Sequence, residues 1–336
     1  MNKIKYLFRF ISKMNFGRLF KSISQVAKEN KKPSIVIFFD MIWCALRYGA
    51  GYLDYNNFNF AKMPGKRRKT FVTRGINNEY IRKLNNKADY DKFENKVKFN
   101  TLFKDYIGRR WVFLKDISAA DFAEFVSDKQ AVMAKPMDAL CGHGVEKINL
   151  AGVDSTELYD RLTQSGQLLV EEYITQHSEI SRIYSGSVNT IRIVTLSCPD
   201  EVHVMFRGLR MGSGNSVVDN FHFGGMIAIL NEKGEIIADA VNEKNEIFAA
   251  HPDSKVAFKD LRIPFLKEAE EMAKKAARLV SGIRYIGWDV AITENGPVFI
   301  EANHNPAYDF FQTRAYMAKH EFGLLPRFEK VLGKMK

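Results

Sequence analysis

Residues 287–306 read GWDVAITENGPVFIEANHNP, two apolar runs on either side of an Asn-Gly-Pro turn. Their composition predicts a strand over 284–293, a second over 297–302, and a tight connection between them. Pro297 has no N–H, so it closes a two-residue Asn295-Gly296 turn poorly. A three-residue loop, Glu294-Asn295-Gly296, with Gly296 left-handed, suits these residues better. That register sets Asp289 opposite Glu301 and leaves Asn303 two residues further along the same face. Two carboxylates and an amide oxygen then converge, an all-oxygen donor set suited to Mg²⁺ or Mn²⁺ with bound phosphate. The alternative is a solvated hairpin whose acids face water. The apolar setting of Trp288, Val290, Ile292, Val298, Phe299 and Ile300 favours the metal site.

Upstream, the chain reads as further strands and one covering helix. Residues 131–135 form a strand ending in Lys135-Pro136, and 145–148 form another. Between them lies Met137-Asp138-Ala139-Leu140-Cys141-Gly142-His143-Gly144. This glycine loop joins two strands and lacks the Gly-Lys-Ser/Thr ending of a P-loop. Backbone N–H groups there can still lie over phosphates, with Lys135 adding a point charge, although a plain hairpin tip has the same composition. LLVEEYI, 168–174, is an apolar strand carrying Glu171 and Glu172, with Glu179 beyond it. A segment leaving such a strand can offer its backbone to an adenine edge, and a following carboxylate can accept from ribose hydroxyls. SVNTIRIVTL, 187–196, then 202–210 and 226–230 continue an antiparallel sheet, and 268–280 is a helix that packs on it. Nearer the N-terminus, 85–106 reads as helical, 111–114 as a short strand, and 116–127 as a helix with Ser118 and Asp121 as an approximate capping box.

At 336 residues the chain is long enough for two or three packed subdomains. Three scattered cysteines, Cys44, Cys141 and Cys198, form no CxxC pair, which fits a reducing, cytoplasmic setting and argues against zinc. No secretory signal is read at the start, and the most apolar run, 35–50, is broken by Asp40 and Arg47 and too short to span a bilayer. Charge is uneven. Residues 1–110 hold 25 Lys or Arg against 8 Asp or Glu, a net +17, and the remainder holds 25 against 31, a net −6. No helix-turn-helix, zinc-finger or RNP pattern accompanies the basic part, which argues against nucleic acid. An acidic glycan, a lipid pyrophosphate or an anionic membrane surface answers the same charge. Ile4, Leu7, Phe8, Ile11 and Met14, then Leu19, Ile23 and Val26, repeat at helical spacing among basic residues. Residues 4–26 therefore read either as a helix packed on its own domain or as one resting on the inner face of the cell membrane.

Taken in order, Lys96, Lys135 with its glycine loop, VEEYI with Glu179, NTIRIVT and GWDVAI…VFIEANHNP resemble the ATP-grasp superfamily. Within it the chain is most similar to the sugar-transfer-associated ATP-grasp proteins of bacterial exopolysaccharide and capsule synthesis. The resemblance runs from about residue 85 to the C-terminus. It implies an α+β fold in which two α+β subdomains clasp ATP, preceded by a basic, mostly helical N-terminal domain. The expected divisions are 1–95, 96–186 and 187–336.

The resemblance also implies roles. Lys96 and Lys135 would contact the α- and β-phosphates, and Gly142, His143 and Gly144 would close over the triphosphate. Glu171 and Glu172 would lie at the adenine, Tyr173 and Ile174 would present their backbone to it, and Glu179 would hold the ribose. Arg192, with Lys135, would serve catalysis by facing the γ-phosphate and the forming acyl phosphate. Asp289, Glu301 and Asn303 would bind Mg²⁺, with Mn²⁺ as a substitute. Asn189, Arg207, Arg210, Asn220, Gly224, Gly225 and His304 are expected on the substrate side. Cys141 and His143 depart from the small residues common in such a loop, and His304 follows the metal-binding Asn303. The implied reaction is ATP-dependent joining of a small-molecule or glycan carboxylate to an amine. Phosphotransfer to a hydroxyl and a nucleotide-binding adaptor docked at a membrane are the alternatives.

Overall fold

A computed structural model describes residues 16–137, 144–221 and 224–333. Ile4, Leu7, Phe8, Ile11 and Met14 of the N-terminal repeat lie outside the described residues, as do Cys141, Gly142 and His143 of the glycine loop. The chain divides into two compact units, one of residues up to Leu84 together with those from Ala307 onward, the other Asn85–Pro306.

The described part of the first unit is helical. Helices Phe16–Asn30, Ser34–Tyr48, Tyr52–Asn57, Gly65–Arg68 and Arg74–Leu84 are joined by Arg314–Ala318 and Leu325–Leu332 from the C-terminal segment. Leu19, Ile23, Val26 and Ala27 fall on one stripe of their helix and pack with Ile37, Met41, Cys44 and the aromatic group Tyr55, Phe58, Phe60 and Phe71. The apolar repeat read past Gly17 thus faces its own domain. Gln312 ties the C-terminal segment in by imitating a backbone partner. Its Oε1 accepts from Val72 N at 3.0 Å and Leu324 N at 3.1 Å, while its Nε2 donates to Val72 O at 2.8 Å. Arg68 donates to both oxygens of Asp40, at 2.6 and 2.8 Å, and Tyr55 adds its hydroxyl to the same carboxylate at 2.6 Å.

The second unit holds two antiparallel sheets. In the first, β1 (Trp111–Phe113), β2 (Ala131–Lys135), β3 (Glu146–Asn149) and β4 (Leu169–Glu172) run in the order β1-β4-β2-β3. Helices Ala119–Val126 and Ser155–Ser165 bury Phe122, Val126, Leu158 and Leu162 against Val132, Ala134 and Val170. Ser118 caps the former, accepting from Asp121 N while the Asp121 carboxylate returns to Ser118 N at 2.9 Å, the expected capping box. In the second sheet, β5 (Thr190–Ser197), β6 (Val202–Met211), β7 (Met226–Ile229), β8 (Ala240–Asn242), β9 (Ile247–Phe248), β10 (Tyr285–Thr293) and β11 (Gly296–Asn303) run in the order β11-β10-β5-β6-β7-β8-β9. Helix Leu266–Ala277 covers one face through Ala269, Ala273, Ala276 and Ala277, residues small enough for close approach.

The helix expected over 85–106 is divided. Asn95 leaves helical geometry and accepts from Lys98 N at 3.0 Å, so it ends Asp91–Glu94 and caps Lys96–Leu102. Phe93, Phe99 and Phe103 from these turns pack on the helix-covered face, where the Trp288 and Phe299 rings stack at 4.7 Å.

Candidate active site

The hairpin of β10 and β11 pairs Asp289 with Glu301 and Gly287 with Asn303, as the sequence predicts, but by another route. Near the turn Thr293 pairs with Gly296 and Val290 with Phe299, so only Glu294 and Asn295 lie outside the ladder. Gly296 takes the positive φ of +120°. The register then shifts between Val290 and Asp289, which leaves Ile300 as an extra residue on β11. Without that bulge Phe299 and Glu301 would share a face. With it, Phe299 stacks on Trp288 in the core while Glu301 turns to join Asp289.

On the face opposite helix Leu266–Ala277 the sheet places a compact, buried ionic group. Arg192 on β5 meets Asp289 with two bonds, its Nη2 at 2.9 Å from Oδ2, and Arg210 on β6 reaches the same oxygen at 2.7 Å. Arg210 also donates to Asp219 at 3.0 Å, and Asp219 in turn accepts from Thr190 N at 3.0 Å and from the Thr190 hydroxyl. Asp289 is 2% exposed. Burial alone raises its pKa, but Arg192 and Arg210 outweigh this and hold it well below the usual carboxylate range. Glu301 still meets solvent, and Asn303 Nδ2 lies 3.5 Å from its Oε1. Loss of hydration first, and the neighbouring Asp289 second, push Glu301 upward. Two guanidiniums stand against the three carboxyl groups of Asp219, Asp289 and Glu301, and the group without an arginine of its own is Glu301, beside the neutral Asn303 amide. Hard oxygen donors with an unbalanced charge fit a cation such as Mg²⁺. Among the described residues no three His, Cys, Asp or Glu side chains gather as a metal-ligand group; Asp289 and Glu301 stand together with the amide of Asn303 near them.

A second buried ionic group sits on the four-stranded sheet. Glu171, 2% exposed, is bound by the Lys135 ammonium, by Arg109 Nη2 at 3.0 Å and by Asn100 Nδ2 at 2.7 Å. Burial pushes its pKa up, and Arg109 and Lys135 together overcome this to hold it far below its ordinary value. Arg109 also donates to Phe299 O at 2.6 Å, beside the Ile300 bulge. One guanidinium therefore connects the Lys135–Glu171 pair to the strand that carries Glu301. Lys96 reaches Met137 O at 3.2 Å, so both candidate phosphate lysines stand at the entry to the glycine loop. Gly144, at φ +69°, closes the described side of that loop and accepts from Gln167 at 2.9 Å.

The other predicted residues are placed as follows. Glu172 alternates to the opposite side of β4 from Glu171 and pairs with Arg110 at 2.6 Å. Tyr173 carries Lys147 over its ring at 3.7 Å, Ile174 is buried, and Glu179 is exposed and pairs with Arg182 at 3.2 Å. Arg207 lies on the helix-covered face, paired with Glu270, and is not brought to Arg192 and Arg210. Asn189 is buried in a local network, donating to Tyr184 O at 2.7 Å and accepting from Gly212 N at 3.2 Å. Gly225 N donates to Asn220 O at 3.0 Å, and a Cβ at Gly225 would stand 2.6 Å from that oxygen. Gly224 takes a positive φ of +87°. His304 stacks on Tyr90 at 3.8 Å and bonds Glu94 at 2.9 Å, which makes it a brace between β11 and the preceding turns. Sequence reading passed over Arg109, Asn100, Thr190 and Asp219. Only Asp219, an acid beside the Gly224-Gly225 turn, carried a local signal.

Two antiparallel sheets in one unit, each bearing a buried ionic group, with an oxygen-donor hairpin at the edge of the larger, define an ATP-grasp protein. More narrowly, the chain belongs to the sugar-transfer associated ATP-grasp family, whose model matches residues 75–331. Among curated proteins none matches the chain. Solved structures similar to it include the ATP-grasp ligase PsnB complexed with minimal precursor, at 13% identity over 74% of this chain and 63% of that one, with a TM-score of 0.45. An L-amino acid ligase from Bacillus licheniformis matches at 15% identity over 64% of this chain and 41% of that one, TM-score 0.38. The D-alanyl-alanine synthetase A from Vibrio cholerae O1 biovar eltor str. N16961 matches at 11% identity over 72% and 61%, TM-score 0.41. The chain thus spans about three fifths of the PsnB chain.

Proposed function

We propose that the chain is an ATP-dependent carboxylate–amine ligase, and that it acts on an acidic sugar or an amino acid in bacterial capsule or exopolysaccharide synthesis. The observation that carries this reading is the hairpin face where Asp289, Glu301 and Asn303 converge beside two buried arginines. Asp289, Glu301 and Asn303 would hold Mg²⁺, which when bound neutralises phosphate charge. Lys135 and Lys96, at the entry to the glycine loop, would bind the α- and β-phosphates. Arg192 and Arg210 would orient and stabilise the transferring phosphoryl group. A substrate carboxylate oxygen takes the γ-phosphoryl group as the bond to ADP breaks. The amine then attacks the acyl phosphate, inorganic phosphate leaves, and the nitrogen loses a proton. No side-chain nucleophile is required, so positioning and charge carry the chemistry. Residues 96–186 and 187–306 would form the two walls around the nucleotide and exclude water from the acyl phosphate.

The test is ADP release from ATP and Mg²⁺ across a panel of uronic acids, amino acids and amines. Release that needs both a carboxylate and an amine supports the proposal. Release that needs only an alcohol overturns it in favour of phosphotransfer.

A further inference from the structure

Helix Ser34–Tyr48, SIVIFFDMIWCALRY, is apolar on two sides. Ile37, Met41, Cys44 and Ala45 serve the core of the helical unit. Opposite them Ile35, Phe39 and Trp43 are 60%, 61% and 57% exposed, with Val36, Ile42 and Leu46 exposed between them. At 100° per residue these six occupy an outward arc of about 120°. Asp40, the helix's one acid, is turned away to Arg68, and Arg47 lies at the margin of the arc. A contiguous apolar stripe of this kind marks a binding surface.

Charge indicates the occupant. The described residues of this unit carry 18 Lys or Arg against 7 Asp or Glu, a net +11. An open pocket of about 490 Å³ adjoins the end of the stripe, lined by Leu46 of the stripe itself with Arg47 and Lys69, with Arg68, which is paired with Asp40, and with one acid, Glu79. An apolar stripe running into a basic pocket matches acyl chains beside anionic headgroups. A second copy of the chain docked through the same face would instead bring two strongly basic units together. The helix is about 22 Å long at 1.5 Å per residue, short of the ~30 Å hydrocarbon core. No described helix is long and apolar enough to cross a membrane.

We propose that the outward face of Ser34–Tyr48 docks this protein in the plane of an anionic lipid bilayer, with Arg47 and Lys69 taking headgroup phosphates. This is independent of the ligase reading. It also places membrane contact on a helix other than the 4–26 repeat, whose Leu19, Ile23 and Val26 are buried.

The experiment is flotation of the full chain with phosphatidylglycerol–phosphatidylcholine vesicles and with phosphatidylcholine alone. The account expects binding to the anionic vesicles and a blue shift of Trp43 emission. The double variant Phe39→Ser/Trp43→Ser should lose at least tenfold in partitioning with unchanged thermal unfolding. Arg47→Gln/Lys69→Gln should keep the apolar stripe but lose the preference for anionic vesicles. Failure of the full chain to float with the anionic vesicles overturns the proposal, as does Phe39→Ser/Trp43→Ser binding like wild type. So does a dimer in sedimentation that this variant dissociates, which would assign the face to a second copy. If vesicle binding appears only once residues 1–15 are removed, the face belongs to that segment instead.

Discussion

Replacing Arg109 with Met removes one guanidinium from a buried junction, and the structure sets the size of the effect. The Arg109 and Glu171 side chains are 3% and 2% exposed. The change leaves Glu171 held by Lys135 and Asn100 and removes the donor to Phe299 O. Breaking a buried pair from one side costs about 3–5 kcal/mol, and the two partners left to Glu171 place this case near the lower end, ~3 kcal/mol. For a unit of this size each kcal/mol moves Tm by about 2–4 °C, so Arg109→Met should melt roughly 6–12 °C below wild type. The assay is calorimetry of Arg109→Met, Glu171→Gln and the double variant at neutral pH. Once Glu171 is neutral, loss of Arg109 should matter much less, giving a coupling of about 2 kcal/mol. The pH dependence has a definite sign. Glu171 is depressed from its ordinary 4.5, so its contribution is present above that pH and fades as pH falls below it. The gap between wild type and Arg109→Met should narrow with it. A Tm within about 2 °C of wild type, or single effects that add to within ~0.5 kcal/mol, would refute the reasoning.

Three other perturbations bear on other parts of the molecule. Glu301→Gln should lower ligation by orders of magnitude at unchanged Tm, and turnover within about threefold of wild type would remove the metal assignment. ATP at 100 times its Kd should stabilise the protein by ~2.7 kcal/mol and GTP by far less, as read by thermal shift, if residues 170–174 receive the adenine edge. In the helical unit, burial first and Asp309 after it raise the Asp54 carboxyl from 3.8 to about 6, against hydrogen bonds from Tyr308, Arg74 and Gly51. The folded state then keeps a proton that the unfolded state releases, so this group's contribution falls as pH rises from 3.8 towards 6. Asp54→Asn should gain on wild type over that window in pH-dependent melting, and a constant difference would contradict the assignment.

Local pattern carried most of the second unit. The strands at 131–135, 202–211 and 226–229 fall within a residue of their expected bounds, because alternation and turn residues act over short distances. The Asp289–Glu301 pairing was legible, whereas the two-residue turn and the Ile300 bulge that produce it were not. A bulge is set by which side chain the core accepts, here Phe299 against Trp288, and that contact depends on Phe103 nearly two hundred residues earlier. Arg109 could not be singled out for the same reason. Nothing near it in sequence marks it, and its partners come from β4 and β11. Glu171 and Glu172 look alike in the sequence, and only strand alternation sends the first to Lys135 and the second to Arg110. The C-terminal residues carry apolar periodicity without an address, and Gln312 shows that a side-chain mimic of backbone pairing ties them to residue 72.

The central claim is that the Asp289 and Lys135 groups serve acyl-phosphate chemistry. Its most direct test uses a carboxylate substrate drawn from the uronic-acid and amino-acid panel and labelled with heavy oxygen in the carboxyl group. Products formed with ATP, Mg²⁺ and an amine are then read by mass spectrometry. Transfer of one labelled oxygen from the carboxylate to inorganic phosphate, in step with amide formation and ADP release, is the predicted result. Amide formed while both labelled oxygens stay out of the phosphate, or ADP released with the phosphoryl group left on a hydroxyl, would contradict it.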